Sequence, residues 1–290
     1  MLRILSFFVA AFLLTGCVGP MYQTPNVTST EVKALEEVSA KDAKPLVIYE
    51  RSDKYYIGTL KSISSRLQKN AVPLCKDSGY ESCYFHVSYN PESTVNAYAS
   101  ERYKITLYKG LLQYLKTNDE IAAVIAHEMG HHLAKHNEKQ QQNAETGAAV
   151  SGIITAILIG AANANNPYYN SYQQQQDQNT LNNMMKVGAE IGALSYSKEQ
   201  EREADLLSAY LLSRSGYDLR KAENLMLVLA RFAGEAKAST SSFLSTHPAG
   251  MERVVAWEKV TVEIKANKKK LPYRVEEKES HNPIAKENAH

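Results

Sequence analysis

The chain has 290 residues with 33 basic against 31 acidic side chains, a formal charge of +2. That length supports one sizeable core with appendages. So even a charge balance leaves no electrostatic footprint for a nucleic-acid partner, and none is expected.

The first 17 residues, MLRILSFFVAAFLLTGC, carry one arginine and then an uncharged apolar run from Ile4 to Leu14. This run falls short of the ~20 residues a spanning helix needs, so residues 1–16 read as a secretory signal peptide. The LLTGC ending resembles the bacterial lipobox, which implies that Cys17 becomes the lipidated first residue of the mature chain. Val18 stands where, in enterobacteria, aspartate would retain a lipoprotein in the inner membrane. The expectation is therefore an outer-membrane lipoprotein facing the periplasm of a Gram-negative bacterium, anchored through Cys17 and otherwise soluble. The blander alternative is a plain cleaved signal with an incidental cysteine.

Residues 17–45 are polar with scattered prolines and read as a tether, with room for a short helix. Ile57, Leu60, Ile63 and Leu67 then recur at helical spacing. Cys75 and Cys83 flank a glycine- and serine-containing stretch. In an exported chain this reads as a disulfide closing a short loop, worth about 2–3 kcal/mol, with two buried thiols as the alternative. The runs YFHVSYN, VNAYAS and YKITLYKG alternate as short strands and predict a small antiparallel sheet, with a hairpin between the last two across Ser100–Arg102.

Thr117 and Glu120 have the spacing of a capping box and open a helix through IAAVIAHEMGHHLAKH. Gly147–Ala164 is uncharged and rich in small residues, and reads as a buried helix rather than a membrane span. NNPYYNSYQQQQDQN reads as a long, turn-rich loop. Ser197 and Gln200 form a second capping box opening KEQEREADLLSAYLLSR. A further helix follows at RKAENLMLVLARFAGEA, and residues 263–290 read as a charged, frayed tail.

HEMGH fits H-E-x-x-H. Residues four apart share a helix face, so His127 and His131 can turn imidazole nitrogens to one ion. Glu128, about 100° around the helix, is misdirected as a ligand but placed to take a proton from the ion's water, the division of labour of a metalloprotease. A catalytic zinc needs a third protein ligand. On the helix from Lys198, phase puts Glu201 and Asp205 on the side shared with Ala204, Ser208 and Leu211, and Glu199 and Glu203 on the opposite, outward side. Two inward carboxylates are costly unless a positive group receives them. Zinc would do so for Glu201, and the free N–H of a zinc-bound histidine for Asp205. His132 and His136 lie on a different side from His127 and are assigned structural or surface roles. His86, His281 and His290 are assigned none.

The segments NDEIAAVIAHEMGHHLAKH, LSYSKEQEREADLLSAYLLSRSGYD and STHPAGMERV, with VNAYASERYKITLYKGLL, resemble the HtpX-like zinc metallopeptidases related to the CAAX prenyl proteases, and most of all their exported bacterial branch. The resemblance covers most of Tyr84 to Val254. It implies a gluzincin holding one zinc ion per chain on His127, His131 and Glu201, and a role in envelope protein quality control. The hairpin turn SER departs from the family's Pro-Gly-Gly, and the membrane helices of the HtpX branch are missing.

The expected fold is a mostly helical α+β zincin domain over residues 46–262, with the small sheet packed on the H-E-x-x-H helix. The expected function is zinc-dependent endopeptidase, with misfolded or unassembled envelope polypeptides as substrates. The competing reading is a metal-bound, chaperone-like assembly lipoprotein without turnover, which would not require Glu128. His247, held at a loop-to-helix junction by Pro248, is a candidate oxyanion donor, or a latency ligand filling the metal's open position.

Overall fold

The computed structural model describes residues 19–41, 45–80, 83–100, 103–164, 166–192, 196–234, 242–268 and 270–275. The expected signal peptide, Cys17, Val18, the expected hairpin tip at 101–102 and the tail from 276, with His281 and His290, lie outside the described residues. Described residues of Pro20–Asn137 and Ser195–His290 form one compact unit, and those of Met1–Gly19 and Glu138–Leu194 another.

The larger unit begins with an extended segment whose Tyr22 is fully buried, and then α1 (Ser29–Lys41). This stretch, polar in sequence, is docked: Gln23 N–H donates to the Tyr273 carbonyl at 2.9 Å and Val275 N–H to that of Met21 at 3.0 Å. Helix α2 (Asp53–Asp77) is capped by Ser52, whose hydroxyl accepts from the Tyr55 amide. Its buried stripe of Tyr56, Leu60, Ile63, Leu67, Ala71 and Leu74 keeps the three-and-four spacing of one helical face. At its end Cys75 is disulfide-bonded to Cys83, with a Cα–Cα distance of 6.0 Å.

The sheet has three strands, β1 (His86–Asn90), β2 (Ala97–Ser100) and β3 (Lys104–Tyr108), in the order β1-β3-β2. β2 and β3 pair antiparallel with Tyr98 opposite Thr106, whereas β1 and β3 pair parallel with His86 opposite Lys104. The sheet is therefore mixed rather than wholly antiparallel. Alternation of residue type sets which face a side chain takes, but not which neighbour its strand pairs with. Here β3 inserts between β1 and β2.

A short turn, α3 (Lys109–Leu112), leads to α4 (Asn118–Leu133), and the Thr117–Glu120 capping box is formed in both directions. Every residue of α4 from Glu120 to Leu133 is buried. Helix α5 (His136–Asn163) starts in this unit and continues into the smaller one, where α6 (Ser171–Gly192) follows. Back in the larger unit come α7 (Lys198–Arg214), α8 (Leu219–Gly234), α9 (Ser242–Thr246) and α10 (Met251–Ala266). The Ser197–Gln200 capping box opens α7, and α7 is the main packing partner of α4. Trp257 on α10 is buried and donates its indole N–H to the Leu219 carbonyl at 3.1 Å, tying α10 to α8.

The smaller unit differs from the sequence expectation twice. The apolar run from Gly147 lies on a helix, but it is not buried: Ile154 is 53% and Leu158 63% exposed. By length and composition alone, α5 is long and apolar enough to cross a membrane. The stretch read as a loop is largely α6. Asn170 and Gln173 exchange capping bonds at 3.1 Å, side-chain oxygen to amide in each direction, and no proline follows Pro167 to break the polar run. Ser151 Oγ donates to the Met184 carbonyl at 2.6 Å, joining the two helices.

Candidate metal centre

Helix α4 presents His127, Glu128 and His131, and α7 presents Glu201 and Asp205, across a very close helix crossing. A Cβ on Gly130 would sit 2.6 Å from the Ala204 carbonyl oxygen, so glycine permits the approach that brings Glu201 between the two histidines. His127 Nε2 and His131 Nε2 are 3.1 Å apart. Glu201 Oε2 is 3.4 Å from the first and Oε1 3.3 Å from the second. His247, which follows α9, adds Nδ1 at 3.4 Å from His127 Nε2 and 2.9 Å from Glu201 Oε1. The His247 ring is held by stacking on Phe243, with centroids 4.3 Å apart. Donor atoms of His127, His131, Glu201 and His247 all lie within 4.8 Å of one another, and all four residues are buried.

This donor set fits a tetrahedral cation. Bonds of about 2.0–2.1 Å to nitrogen or oxygen give a tetrahedron with edges of about 3.3 Å, close to the separations above. Charge agrees: Glu128, Glu201 and Asp205 are buried carboxylates, and Arg253 is the buried cation facing them. With the imidazoles neutral, as metal ligands must be, one guanidinium leaves a negative excess that a divalent ion matches.

Asp205 Oδ1 lies 2.9 Å from His127 Nδ1, on the ring's far side from the cluster. Arg253 grips Asp205 with Nε at 2.7 Å and Nη2 at 2.8 Å, and its Nη1 is 2.5 Å from Glu201 Oε2. Burial disfavours the charged form of Glu201, but Arg253, His247 and His127 outweigh it and hold the carboxyl well below its usual range. Burial likewise opposes charge on His127, and the carboxylates of Glu201 and Asp205 reverse this, raising it to about 9. On Glu128 burial dominates and pushes its pKa up, tempered by His247 and His127. Neither Glu128 oxygen has a hydrogen-bond partner among the described residues; His247 Nε2, also without one, is 3.6 Å from Oε1.

Several residues differ from the sequence reading. Helical phase places Glu203 outward, yet it is fully buried, bonded to His136 Nε2 at 2.9 Å and to the Tyr22 amide at 2.7 Å. The wheel fails because the segment around Tyr22 covers that side of α7. Of the structural or surface roles read for His132 and His136, their burial fits the structural one. Arg253, in MERV, is the cation between two site carboxylates, those of Asp205 and Glu201. Tyr196 stacks on His131 at 3.7 Å between centroids and donates its hydroxyl to Asn137 Oδ1 at 2.6 Å; a lone tyrosine before a helix cap gives no sequence signal. Beside the site, β2 is the edge strand. Tyr108 N–H donates to the Asn96 carbonyl, so by alternation Ala97 and Ala99 turn their peptide groups away from β3; the Ala99 amide lies near the Glu128 carboxylate without completing a hydrogen bond to it.

The chain is similar to a mitochondrial metalloendopeptidase OMA1 of Arabidopsis thaliana, at 28% identity over 163 residues, covering 56% of this chain and 28% of the relative. It is also similar to a beta-barrel assembly-enhancing protease of Yersinia pestis, at 29% identity over 204 residues, covering 70% of this chain and 37% of the relative. It thus spans well under half the length of either. The profile of Peptidase family M48 matches residues 62–261, a stretch that holds every residue of the four-donor cluster together with Glu128, Asp205 and Arg253. With that match over more than half its length, the chain belongs to peptidase family M48.

Proposed function

We propose that this chain is a zinc-dependent endopeptidase acting on polypeptides in the bacterial envelope, with His127, His131 and Glu201 as the metal ligands and Glu128 as the general base. The observation that carries this reading is the fully buried Glu128 carboxylate, without a hydrogen-bond partner among the described residues, beside four converging donors. A carboxylate left unpartnered in an apolar interior is costly, and a reacting water supplies the missing partner. Two imidazoles and a carboxylate are donors suited to zinc. A bound zinc ion supplies Lewis acidity toward water and the scissile carbonyl.

Glu128 takes a proton from the attacking water and returns it to the departing amine, and its burial-raised pKa suits both directions of transfer. The Asp205 carboxylate lies 2.9 Å from His127 Nδ1, placed to orient that ring, and Arg253 keeps Asp205 and Glu201 ionised and oriented. The edge of β2, unpaired by another strand among the described residues, supports an extended polypeptide as substrate, because added strands pair through outward peptide groups like that of Ala97. His247 Nδ1 stands among the ligand atoms, which favours a self-ligand that keeps the resting site closed over an oxyanion donor.

An envelope location is supported by the signal-like N-terminus with its lipobox cysteine and by the Cys75–Cys83 disulfide, a feature of oxidising compartments. The name of the Yersinia pestis relative, a beta-barrel assembly-enhancing protease, supports a role in beta-barrel assembly. The test is Glu128→Gln. It should retain stoichiometric zinc and lose proteolysis by about 100-fold or more. Full activity would exclude the mechanism, and unchanged envelope function without proteolysis would favour the chaperone-like reading. Cys17→Ser should release the protein from outer-membrane fractions or leave its signal unprocessed; unchanged fractionation would exclude the lipid anchor.

A further inference from the structure

The buried pair Glu203 and His136 has no part in the reaction above, yet it connects directly to a ligand. His131 turns Nε2 to the cluster and Nδ1 to His136 Nδ1, 2.9 Å away. A histidine that binds a metal through Nε2 carries its proton on Nδ1, so His131 donates here and His136 Nδ1 accepts. With Nδ1 accepting, the His136 proton must sit on Nε2, which donates to Glu203 Oε2 at 2.9 Å. Glu203 Oε1 accepts the amides of Met21 at 2.5 Å and Tyr22 at 2.7 Å. In this set of contacts each donor meets one acceptor. The other His136 tautomer would set two N–H groups against each other and turn a ring lone pair on the carboxylate.

His131, His136, Glu203 and Tyr22 are all fully buried, where such bonds are strong and mutually polarising. The far end is anchored: Tyr22 donates its hydroxyl to Asp77 Oδ2 at 2.7 Å, and Met21 and Gln23 pair with the 273–275 segment. His127 receives its carboxylate directly from Asp205, whereas the carboxylate serving His131 acts through an intervening imidazole.

We propose that His136 and Glu203 are positioning residues that orient and polarise His131, and that the backbone of Met21 and Tyr22 fixes the far end of the chain. This deepens the proposed metal site and rests on it. The segment just before α1 then belongs to the machinery that sets ligand strength.

The test is zinc affinity by competition with a chromophoric chelator, together with the visible absorption of the cobalt-substituted protein. Glu203→Gln and His136→Phe should bind zinc about 10–100-fold more weakly, with a shifted cobalt band. Glu199→Gln, exposed on the same helix, should match wild type in both. A merely structural role would lower Tm and leave affinity and spectrum unchanged, and that result overturns the proposal. Should either variant fail to fold, nitrogen-15 NMR of the zinc-loaded wild type still decides: His136 must be protonated on Nε2, and an Nδ1 proton overturns the chain. Wild-type protein that binds no zinc would overturn the metal site itself. Tight wild-type binding with unaltered variants overturns only this proposal.

Discussion

Gly130 and Ala204 bring the backbones of α4 and α7 together so closely that a single added methyl at Gly130 would overlap the Ala204 carbonyl oxygen, 2.6 Å from the new carbon. Both atoms that would have to move belong to helix backbones, so no side-chain rotation relieves the clash. Gly130→Ala should therefore force the helices apart, lower Tm and lose most of the bound zinc after dialysis. Retention of stoichiometric zinc would show that the crossing is looser than described.

Glu201 and Glu199 share the first turns of α7 but differ in surroundings. Glu201 is fully buried among three imidazoles and Arg253, while Glu199 is exposed. Glu201→Ala should abolish tight zinc binding, and Glu199→Ala should leave it intact, as read by metal analysis after dialysis. Equal behaviour would remove Glu201 from the ligand set.

His247→Ala separates the two roles open to this residue. As a self-ligand its loss should raise proteolysis of an unfolded substrate, with little change in bound zinc. As an oxyanion donor its loss should lower turnover by about 100-fold or more. Kinetics of the purified variant at fixed zinc content decide, and unaltered kinetics would exclude both.

Glu223 on α8 offers a test of stability away from the metal. Burial, with the neighbouring Glu258, raises it from 4.5 to about 7 against the opposing pull of Lys265 and Arg220. A carboxyl whose folded pKa lies above its unfolded value favours folding least once it must ionise, so its penalty grows from about pH 4.5 and is complete above pH 7. Discounted for partial exposure, this is about 1 kcal/mol, or about 2–4 °C in Tm. Glu223→Gln should match wild type near pH 4.5 and melt higher at pH 8. A gap that does not change with pH would contradict the shift.

Sequence alone determined what depends on near neighbours: both capping boxes, the spacing of His127 and His131, and the inward phase of Glu201 and Asp205. These follow from helical geometry, which operates over a few residues. The direction of β1, the exposure of Ile154 and Leu158, and the grip of Arg253 on Asp205 depend on which distant segments meet, and periodicity does not encode that. Glu203 shows the limit most plainly. Its phase directs it away from the core shared by α4 and α7, and only the return of Met21 and Tyr22 over that side, secured by hydrogen bonds from two backbone amides, makes it a buried carboxylate. A helical wheel assumes one buried face, whereas tertiary packing covered α7 on both.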